Sequence, residues 1–492
     1  MEKHVIIIGS GLGGLTCGYI LAKNGFKVTV LEKNSQIGGC LQTFTRKGVK
    51  FDTGMHYIGS MEKGQTLYNY FKYLSLLEDV KLSALDENSY DIISLDGTRY
   101  NYSIGATSFV EQLASHFPTE KQNLKNYRQQ IKQIAESSPF YSFRAHTPRH
   151  LSPFLYLEQR AGDFIASMTS NTVLQNVLAG NSPLYAGVKH QTPLYIHALI
   201  NDFFNNSAFR IVGGSDSIAV SLANSIRKMG GQVRTQAKVT KINCNDYDAV
   251  SVSLENGEII PADSFISDIH PAKTVELIDS HLIRKSYRDR ILNLENTISN
   301  FTVYLRFKPN TVSYLNSNFF HYAGESVWET AKWGDQFLYM HLCPTHHSGF
   351  AEGAVLIADM SFAEVAQWQC TTIGHRGEDY EQFKYRKAEQ LLLQLEKQMP
   401  GTIPNIERYY TSTPLTYLDY TGTEAGANYG ILKDACNLLQ STVSQSTKIP
   451  NLLLTGQSIN HHGILGVIIT AFLTAGALLG LDFVYEQLRD SF

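Results

Sequence analysis

The chain has 492 residues, which is too long for one hydrophobic core and predicts two or three domains. It is 43% hydrophobic and 18% charged, as in ordinary globular proteins, so a sizeable core can form. Its 42 Lys and Arg residues nearly balance 45 Asp and Glu residues, and no dense basic block occurs, which argues against nucleic acid as a partner.

The first predicted elements are a strand, a glycine turn, a helix and a second strand. The apolar run "VIIIG" (residues 5–9) is followed by a helical pattern over residues 12–24, a stop at Gly25, and the strand-like "KVTVLE" (27–32). A strand, helix and strand in this order predict a parallel sheet that is buried on both faces.

The turn carries the dinucleotide-binding pattern GxGxxG at Gly9, Gly11 and Gly14. These glycines permit a tight turn, a close approach of the backbone to a pyrophosphate, and close helix packing, while the helix N-terminus offers free amides to the anion. Glu32, 18 residues after Gly14, is placed to accept hydrogen bonds from a ribose diol. The predicted cofactor contacts of this unit are Gly9, Ser10, Gly11, Leu12, Gly13, Gly14, Glu32 and Lys33.

A second concentration of glycines follows in "GGCLQTFTRKGVKFDTGMHYIG" (residues 38–59). Gly38 and Gly39 come only six residues after Glu32, too soon for another strand-helix-strand unit, and can let the backbone cross a dinucleotide, over the diphosphate and, if the ligand is FAD and not NAD, the ribityl chain. The predicted cofactor contacts here are Gly38, Gly39, Cys40 and Leu41.

The middle of the chain contains another α/β segment and two insertions. "FRIVGG" (209–214) opens the segment, and the Asn-Gly of "VSVSLENGEII" (250–260) predicts a hairpin. The first insertion is mostly helical, and the second begins with the strand-like "FTVYLRF" and contains a helix over 378–399. The predicted fold class is α/β, a Rossmann-type FAD-binding domain (1–75, 206–285 and 449–492) with an inserted α+β substrate-binding domain (76–205 and 286–448).

The C-terminal "NLLLTGQSINHHGILGVIITAF" predicts a strand ending at Gly456, a loop, and a helix that begins near Leu465. The positive end of such a helix can stabilise reduced flavin. Residues 449–481 contain no Asp, Glu, Lys or Arg, so a membrane span is the alternative. We favour a buried helix, because glycine and threonine recur through it and only eleven residues follow.

Together these motifs resemble the FAD-dependent phytoene desaturase superfamily, which shares its fold with amine oxidases. The resemblance rests on GxGxxG, the glycine pair after Glu32, "GG…L…GGQV…V" in the middle segment and "LLLTGQ…GILG" near the C-terminus. "IGGCLQTF…FDTGMHYIG" and "TPLTYLDYTGTEAGANYGI" (413–431) are most similar to the retinol saturase and carotenoid isomerase branch. The similarity spans nearly the whole chain and is weakest over residues 121–206.

The resemblance implies further cofactor contacts: Val239 beside the adenine, and Gly456 and Gln457 near the ribityl phosphate. The contacts that it implies near the flavin ring are Gly54, Met55, His56, Gly466, Val467 and Ile468. Two positions depart from the pattern. Cys40 stands where desaturases and amine oxidases usually have arginine, which argues against an ordinary carotene desaturase. Gln42 replaces the histidine usual in the saturase branch, which leaves the exact substrate open.

The candidate catalytic residues are His56, Tyr57 and Tyr429. A neutral histidine or tyrosine can donate a proton to one carbon of a double bond while flavin N5 delivers hydride to the other. The alternatives are that His56 only hydrogen-bonds the cofactor or a loop, and that Tyr429 only packs.

Three other features have simpler interpretations. "HLCPTHHSGF" (341–350) is expected to be a strand and loop, with no metal. Cys40 is expected to be a small residue near the cofactor and not a redox thiol. "PFYSFRAHTPRHLSPFLYLEQR" (139–160) mixes aromatic residues with arginines, which suits either peripheral contact with an anionic bilayer or an irregular surface of the substrate domain.

The expected function is an FAD-dependent oxidoreductase that saturates or isomerises a carbon-carbon double bond of an apolar polyene or isoprenoid lipid. Alternatives are a fatty acid or steroid-enone reductase or isomerase, a carotenoid desaturase, and a flavin-bound polyene carrier without turnover. Since no second GxGxxG follows a strand, electrons come from transient NAD(P)H contact or from another protein. The oligomeric state stays open.

The expected location is the cytoplasm, with or without association with the inner face of a membrane. The six cysteines are scattered without a CxxC pair, which argues against a disulfide framework and favours a reducing compartment. Strand-like sequence begins at His4, so we expect no signal peptide.

Overall fold

The computed structural model describes residues 3–143, 156–324, 326–329, 332–344 and 349–492. Its strands are β1 (His4–Ile8), β2 (Lys27–Leu31), β3 (Thr43–Arg46), β4 (Val49–Asp52), β5 (Ile58–Gly59), β6 (Leu82–Ala84), β7 (Asp91–Leu95), β8 (Thr98–Tyr102), β9 (Ala208–Ile211), β10 (Gln232–Arg234), β11 (Val239–Cys244), β12 (Ala249–Leu254), β13 (Ile259–Pro261), β14 (Ser264–Ser267), β15 (Ser299–Phe307), β16 (Asn318–Tyr322), β17 (Gln336–His341), β18 (Gly353–Met360), β19 (Ile406–Ser412) and β20 (Leu452–Leu454).

The helices of the described residues alternate with these strands in the first part of the chain and cluster between β8 and β9. They are α1 (Leu12–Lys23), α2 (Thr66–Tyr73), α3 (Ala106–His116), α4 (Lys121–Ala135), α5 (Pro139–Ser142), α6 (Ala161–Met168), α7 (Thr172–Leu178), α8 (Leu194–Asn206), α9 (Asp216–Lys228), α10 (Pro271–Glu276), α11 (Lys285–Leu292), α12 (Glu378–Gln398), α13 (Pro414–Thr421), α14 (Leu438–Ser441), α15 (Gly463–Leu479) and α16 (Leu481–Arg489).

Five strands form a parallel sheet in the order β10-β2-β1-β14-β20. Its central strand β1 is buried on both faces, with Ile6 and Ile7 fully enclosed, because helices cover one of its sides and the three-stranded sheet β11-β12-β13 covers the other. On the helical side, α1 lies against α15, where Cys17 Sγ is 3.5 Å from the carbonyl oxygen of Ala471. The predicted Rossmann-type sheet is confirmed.

A second, seven-stranded sheet has the order β19-β15-β18-β17-β16-β7-β8. It is antiparallel except between β16 and β7. The insertion expected to be mostly helical therefore supplies strands as well as helices, and strands of both predicted insertions share this sheet.

The segment after residue 205 differs in one respect from a continuous α/β unit. The strand in "FRIVGG", β9, pairs antiparallel with β5 and β6, and only the later β10 joins the parallel sheet. The predicted Asn-Gly hairpin is confirmed, since β12 and β13 pair antiparallel with Val252 opposite Ile260.

The apolar C-terminal segment forms α15, whose residues are mostly buried inside the protein. Among the described residues, no helix is both long and apolar enough to cross a membrane. The interpretation of this segment as a buried helix is confirmed.

Candidate active site

The carboxyl ends of the parallel strands open onto a cavity of about 2060 Å³, including its open mouth. Ligands of open α/β sheets bind at this edge. Most of the predicted site residues line the cavity: Gly11, Leu12, Gly13, Gly38, Gly39, Cys40, Leu41, Gly54, Met55, His56, Tyr57, Tyr429, Gly456, Gln457, Gly466 and Val467.

The glycine turn behaves as its sequence predicts at two positions. Gly9 has a φ of +98°, which favours glycine, and a Cβ added to Gly14 would lie 2.4 Å from the carbonyl oxygen of Gly9. Neither residue lines the cavity. Both instead determine the backbone conformation of the turn.

The space beside Gly11 and Gly13 is filled by a side chain that the sequence analysis missed. A Cβ added to Gly11 would lie 2.5 Å from Asp268 Oδ2, and one added to Gly13 would lie 2.5 Å from Asp268 Oδ1. Asp268 directly follows β14, at the same edge of the sheet as Gly9 and Glu32. An acid immediately after an apolar strand was the available signal, but β14 itself was not predicted.

Burial, with the nearby charge of Glu32, raises the pKa of Asp268 to about 7, although the nearby backbone amides of Gly14 and Gly11 act in the opposite direction. The carboxyl group therefore shares the N-terminal end of α1 that would bind a diphosphate.

Glu32 is buried behind the cavity and fixes the turn. Its Oε2 accepts hydrogen bonds from the amide of Ser10 at 3.1 Å and from Ser10 Oγ at 2.6 Å, and its Oε1 accepts one from the amide of Asn34 at 2.9 Å. Lys33 does not line the cavity, and its Nζ donates a hydrogen bond to the carbonyl oxygen of Asp419.

Three other predicted contacts, Ser10, Val239 and Ile468, also lie outside the cavity lining. Val239 pairs with Leu254 at the start of β11 and is buried in a small core beneath the three-stranded sheet. Ile468 is fully buried within α15.

The residues around the glycine-rich half of the cavity fit a flavin dinucleotide. Gly38 and Gly39 have positive φ, and a Cβ added to Gly39 would come within 3.3 Å of Gly11 Cα, so the two glycine segments form a narrow cradle. Across the cavity, α15 begins at Gly463 with no side chain capping its first amides, and its first turn faces the cavity. Free amides at this position suit the electron-rich part of a flavin.

A buried lysine holds the loop that precedes α15. Lys433 Nζ donates to the carbonyl oxygens of Ser458 and Ile459 at 2.7 and 3.0 Å, and burial lowers its pKa to about 7. His462 belongs to this loop. Its imidazole is neutral, because burial, His461 and Lys433 lower its pKa to about 3. Lys433 was not predicted from the sequence, because its contact with this loop depends on the folded chain.

The three predicted catalytic residues all reach the cavity but differ in their surroundings. Burial, and to a lesser extent Arg210, lowers the pKa of His56 to about 4, so its imidazole is neutral. The Tyr57 hydroxyl donates to Asp91, whereas the Tyr429 ring lies 4.8 Å from that of His462. Burial raises the pKa of the Tyr57 and Tyr429 phenols.

The other half of the cavity is apolar, which suits a hydrocarbon ligand. Its walls come from α8, β17 and β18 and include Leu199, Ile200, Phe203, Phe204, Phe337, Leu338, Met340 and Ile357. A small polar group, Asn300, Asp359 and Asn428, interrupts this surface. These three residues were not predicted, because they lie on strands and loops far apart in the sequence.

The remaining expectations concern metal, thiol and membrane. The described residues contain no group of three potential metal ligands, and His341 is engaged with the amide of Leu315 and with Tyr339 Oη. Burial raises the pKa of Cys40 to about 11, so its thiol stays protonated. Much of the arginine-rich stretch (144–155) and part of the histidine stretch (345–348) lie outside the described residues.

Comparison with known proteins identifies the family. The family model for flavin containing amine oxidoreductase matches residues 12–479. The chain belongs to the flavin-containing amine oxidoreductase family. Membership confirms the prediction of an FAD-dependent oxidoreductase.

Within this family, the flavoprotein is similar to two kinds of characterised relative. It is 27% identical to human all-trans-retinol 13,14-reductase, with 99% of this chain and 87% of the relative covered. It is 25% identical to the chloroplastic prolycopene isomerase of Daucus carota, with 98% and 81% covered. These matches confirm the predicted retinol saturase and carotenoid isomerase branch.

The flavoprotein also shares its fold with solved structures. Putrescine oxidase bound to putrescine superposes with a TM-score of 0.66 at 15% identity, covering 97% of this chain and 99% of the oxidase. At this level of identity, the similarity establishes the fold alone.

Proposed function

We propose that this flavoprotein reduces a carbon-carbon double bond of an apolar polyene or isoprenoid lipid. The observation that carries the proposal is a single cavity that joins a glycine cradle for FAD to a compartment walled by apolar side chains. The retinol reductase and prolycopene isomerase relatives, which match nearly the whole chain, support a polyene substrate.

Different residues bind the cofactor and the substrate in the two halves of the cavity. The cradle of Gly11, Gly38, Gly39 and Gly456 binds the cofactor, which supplies hydride when reduced. The aromatic and aliphatic side chains of α8, β17 and β18 hold the hydrocarbon and exclude water. Since His56 and His462 are neutral, neither supplies a full positive charge for an anionic lipid head.

Isomerisation is the second candidate, because a prolycopene isomerase is among the full-length relatives. It would use the same cavity and the same reduced cofactor without net redox change. Electrons reach the cofactor from transient NAD(P)H contact or from another protein. Polyunsaturated fatty acids and steroid enones suit the same apolar walls and serve as comparison substrates.

The test is anaerobic photoreduction of the bound flavin followed by addition of all-trans-retinol, a carotenoid, a polyunsaturated fatty acid or a steroid enone. Return of the oxidised flavin spectrum with a polyene means reduction. A changed lipid spectrum with the flavin still reduced means isomerisation. Binding without either change would favour a carrier and contradict the proposal.

We also propose that the protein collects its apolar substrate at an anionic bilayer surface from the cytoplasm. The aromatic and arginine-rich composition of residues 139–160 supports this proposal. Co-sedimentation with anionic liposomes at low salt, and its loss at high salt, is expected. Failure to sediment under either condition would contradict membrane contact.

A further inference from the structure

Among the described residues that line the apolar compartment of the cavity, Asp359 supplies the one carboxyl group. Asp359 lies near the end of β18, directly opposite Asn300 on the neighbouring β15, and both side chains line the cavity. With the Asn300 amide oriented to satisfy its neighbours, its Nδ2 donates to Asp359 Oδ1 at 3.2 Å. Asn428, from the loop that carries Tyr429, completes this polar group.

The described residues place a hydrogen-bond donor beside Asp359 but no ion-pair partner. Within the part of the chain that the structure describes, it forms no ion pair, and the titratable groups that it affects are the phenols of Tyr429 and Tyr322. Burial beside apolar walls raises the Asp359 pKa to about 6. The group therefore exchanges a proton close to neutral pH, as an efficient general acid does.

The other groups around the substrate compartment are poorer proton donors. The Tyr57 hydroxyl is committed to Asp91, and the Tyr322 hydroxyl donates to the carbonyl oxygen of Gly180 at 2.6 Å. Burial raises the pKa of the Tyr429 phenol, and the imidazole of His56 is neutral. Asp268 is acidic enough, but it lies in the glycine cradle and not in the apolar compartment.

Reduction of an unactivated polyene needs a proton donor beside the double bond. If hydride were added first, no electron-withdrawing group would stabilise the allylic carbanion, whereas protonation of one carbon leaves a delocalised allylic cation that a carboxylate can stabilise. A carboxylate beside this cation stabilises its charge, and the tyrosine rings lining the cavity add cation-π attraction.

We propose that Asp359 is the proton donor of the reaction, an inference that rests on the proposed function. Its O–H bond breaks, and the proton forms a new C–H bond with the π electrons of the substrate. The adjacent cationic carbon then accepts a hydride, which the reduced flavin supplies, so the double bond gains H⁺ and H⁻. Asp359 is left as a carboxylate, holds its hydrogen bond from Asn300, and regains a proton from solvent.

The test compares Asp359→Asn and Asp359→Glu with the unaltered holoprotein, and uses Asp279→Asn as the control because the Asp279 side chain is 93% exposed. Each protein is photoreduced, mixed with all-trans-retinol, and followed by flavin reoxidation from pH 5 to pH 9. Retinol binding to the oxidised holoproteins is measured separately from the shift of its absorbance spectrum. Infrared difference spectra between pH 5 and pH 8 report the protonated carboxyl band directly, without turnover.

We expect Asp359→Asn to slow reoxidation by about 100-fold or more, while retinol binding changes by less than about threefold. In the unaltered protein the rate falls above pH 6, with the apparent pKa of the Asp359 carboxyl. Asp359→Asn loses this pH dependence and one titrating infrared carboxyl band, Asp359→Glu retains both, and Asp279→Asn matches the unaltered protein.

Two results separate failure of the proton donor from failure of the function. If retinol and the other polyenes never reoxidise the unaltered protein or change in its presence, the proposed function is wrong and this inference falls with it. If the unaltered protein turns over and Asp359→Asn keeps its rate and pH dependence, Asp359 is not the donor, although the function stands.

Discussion

The Tyr57 hydroxyl donates a hydrogen bond of 3.1 Å to Oδ2 of Asp91, and the other carboxyl oxygen of Asp91 accepts one of 2.8 Å from Asn318 Nδ2. Tyr57 and Asp91 are both buried, and the Tyr57 ring lies 4.4 Å from that of Phe204 at the cavity wall. The phenol therefore presents its ring to the cavity and its hydroxyl to the interior of the protein.

This bond predicts that Tyr57→Phe weakens the fold more than the reaction. Loss of one hydrogen bond to a buried carboxyl group is expected to lower the free energy of unfolding by about 1–3 kcal/mol. Flavin content and the rate of flavin reoxidation are expected to stay within about threefold, because the ring remains. Urea denaturation and stopped-flow reoxidation measure the two effects, and a 100-fold slower reaction in a well-folded variant would show that Tyr57 transfers the proton.

The contact between Gly11 and Asp268 predicts a specific rescue. In Gly11→Ala the three atoms nearest the new Cβ all belong to Asp268, so Asp268→Ala in the same chain should relieve the clash. We expect FAD affinity to fall by about tenfold or more in the single variant, roughly 1.4 kcal/mol, and to return in the double variant. Fluorescence titration of the apoprotein with FAD measures both.

The control for this rescue is Gly14→Ala. Its added Cβ would meet the backbone carbonyl of Gly9 at 2.4 Å, a contact that Asp268→Ala cannot relieve. A Gly11→Ala/Asp268→Ala variant that binds FAD no better than Gly11→Ala would mean that Gly11 makes room for the diphosphate and not for Asp268.

The bonds of Glu32 predict that Glu32→Ala releases the cofactor. The substitution removes the acceptor of three hydrogen bonds from Ser10 and Asn34 and with it the carboxylate expected to hold the ribose. We expect FAD to bind about 10- to 100-fold more weakly, since hydrogen bonds to a charged group contribute about 1.5–3 kcal/mol. Glu258→Ala, which breaks only an exposed pair with Arg234, serves as control, and equal FAD affinity of the two variants would refute the role of Glu32.

Buried acids predict a loss of stability at alkaline pH. Burial raises the pKa of Asp91 from 3.8 to about 7, so between these values the folded protein holds a proton that the unfolded chain has released. The free energy of unfolding therefore falls as pH rises through this window, by an amount on the order of a few kcal/mol. Buried His197 and His341 act oppositely, because their lowered pKa removes stability as pH falls below 6.5.

Urea denaturation of the apoprotein from pH 4 to pH 9 measures how the free energy of unfolding depends on pH. Asp91→Asn is expected to lessen the fall in stability on the alkaline side, to which the raised pKa values of Asp268 and Asp359 also contribute, and to leave the acidic side unchanged. Stability of the unaltered protein that rises steadily from pH 5 to pH 8 would contradict the assignment.

The sequence could predict the cofactor cradle because its requirements are local. Gly9 and Gly14 are set by a positive φ and a backbone contact within one turn, and α1 follows from the pattern immediately after them. The roles of Asp268 and Asp359 could not be predicted from the sequence. Each side chain is brought to the cavity only when β14 or β18 is placed in its sheet.

The Tyr57 contact shows the same limit for catalysis. Its position beside the cavity was predicted, but Asp91 lies 34 residues away and becomes its partner only through the packing of β7 against the interior. A tyrosine or histidine near a cofactor site is a candidate catalytic residue. The hydrogen-bond partner of its polar atom then decides whether that atom can transfer a proton to the substrate.

The most direct test of the proposed function is a single turnover of the photoreduced, FAD-loaded protein with all-trans-retinol under anaerobic conditions. The expected result is one molecule of a product two hydrogen atoms heavier for each flavin that returns to the oxidised form, measured by absorbance and mass spectrometry. Flavin that remains reduced beside chemically unchanged retinol and unchanged carotenoid would contradict the account.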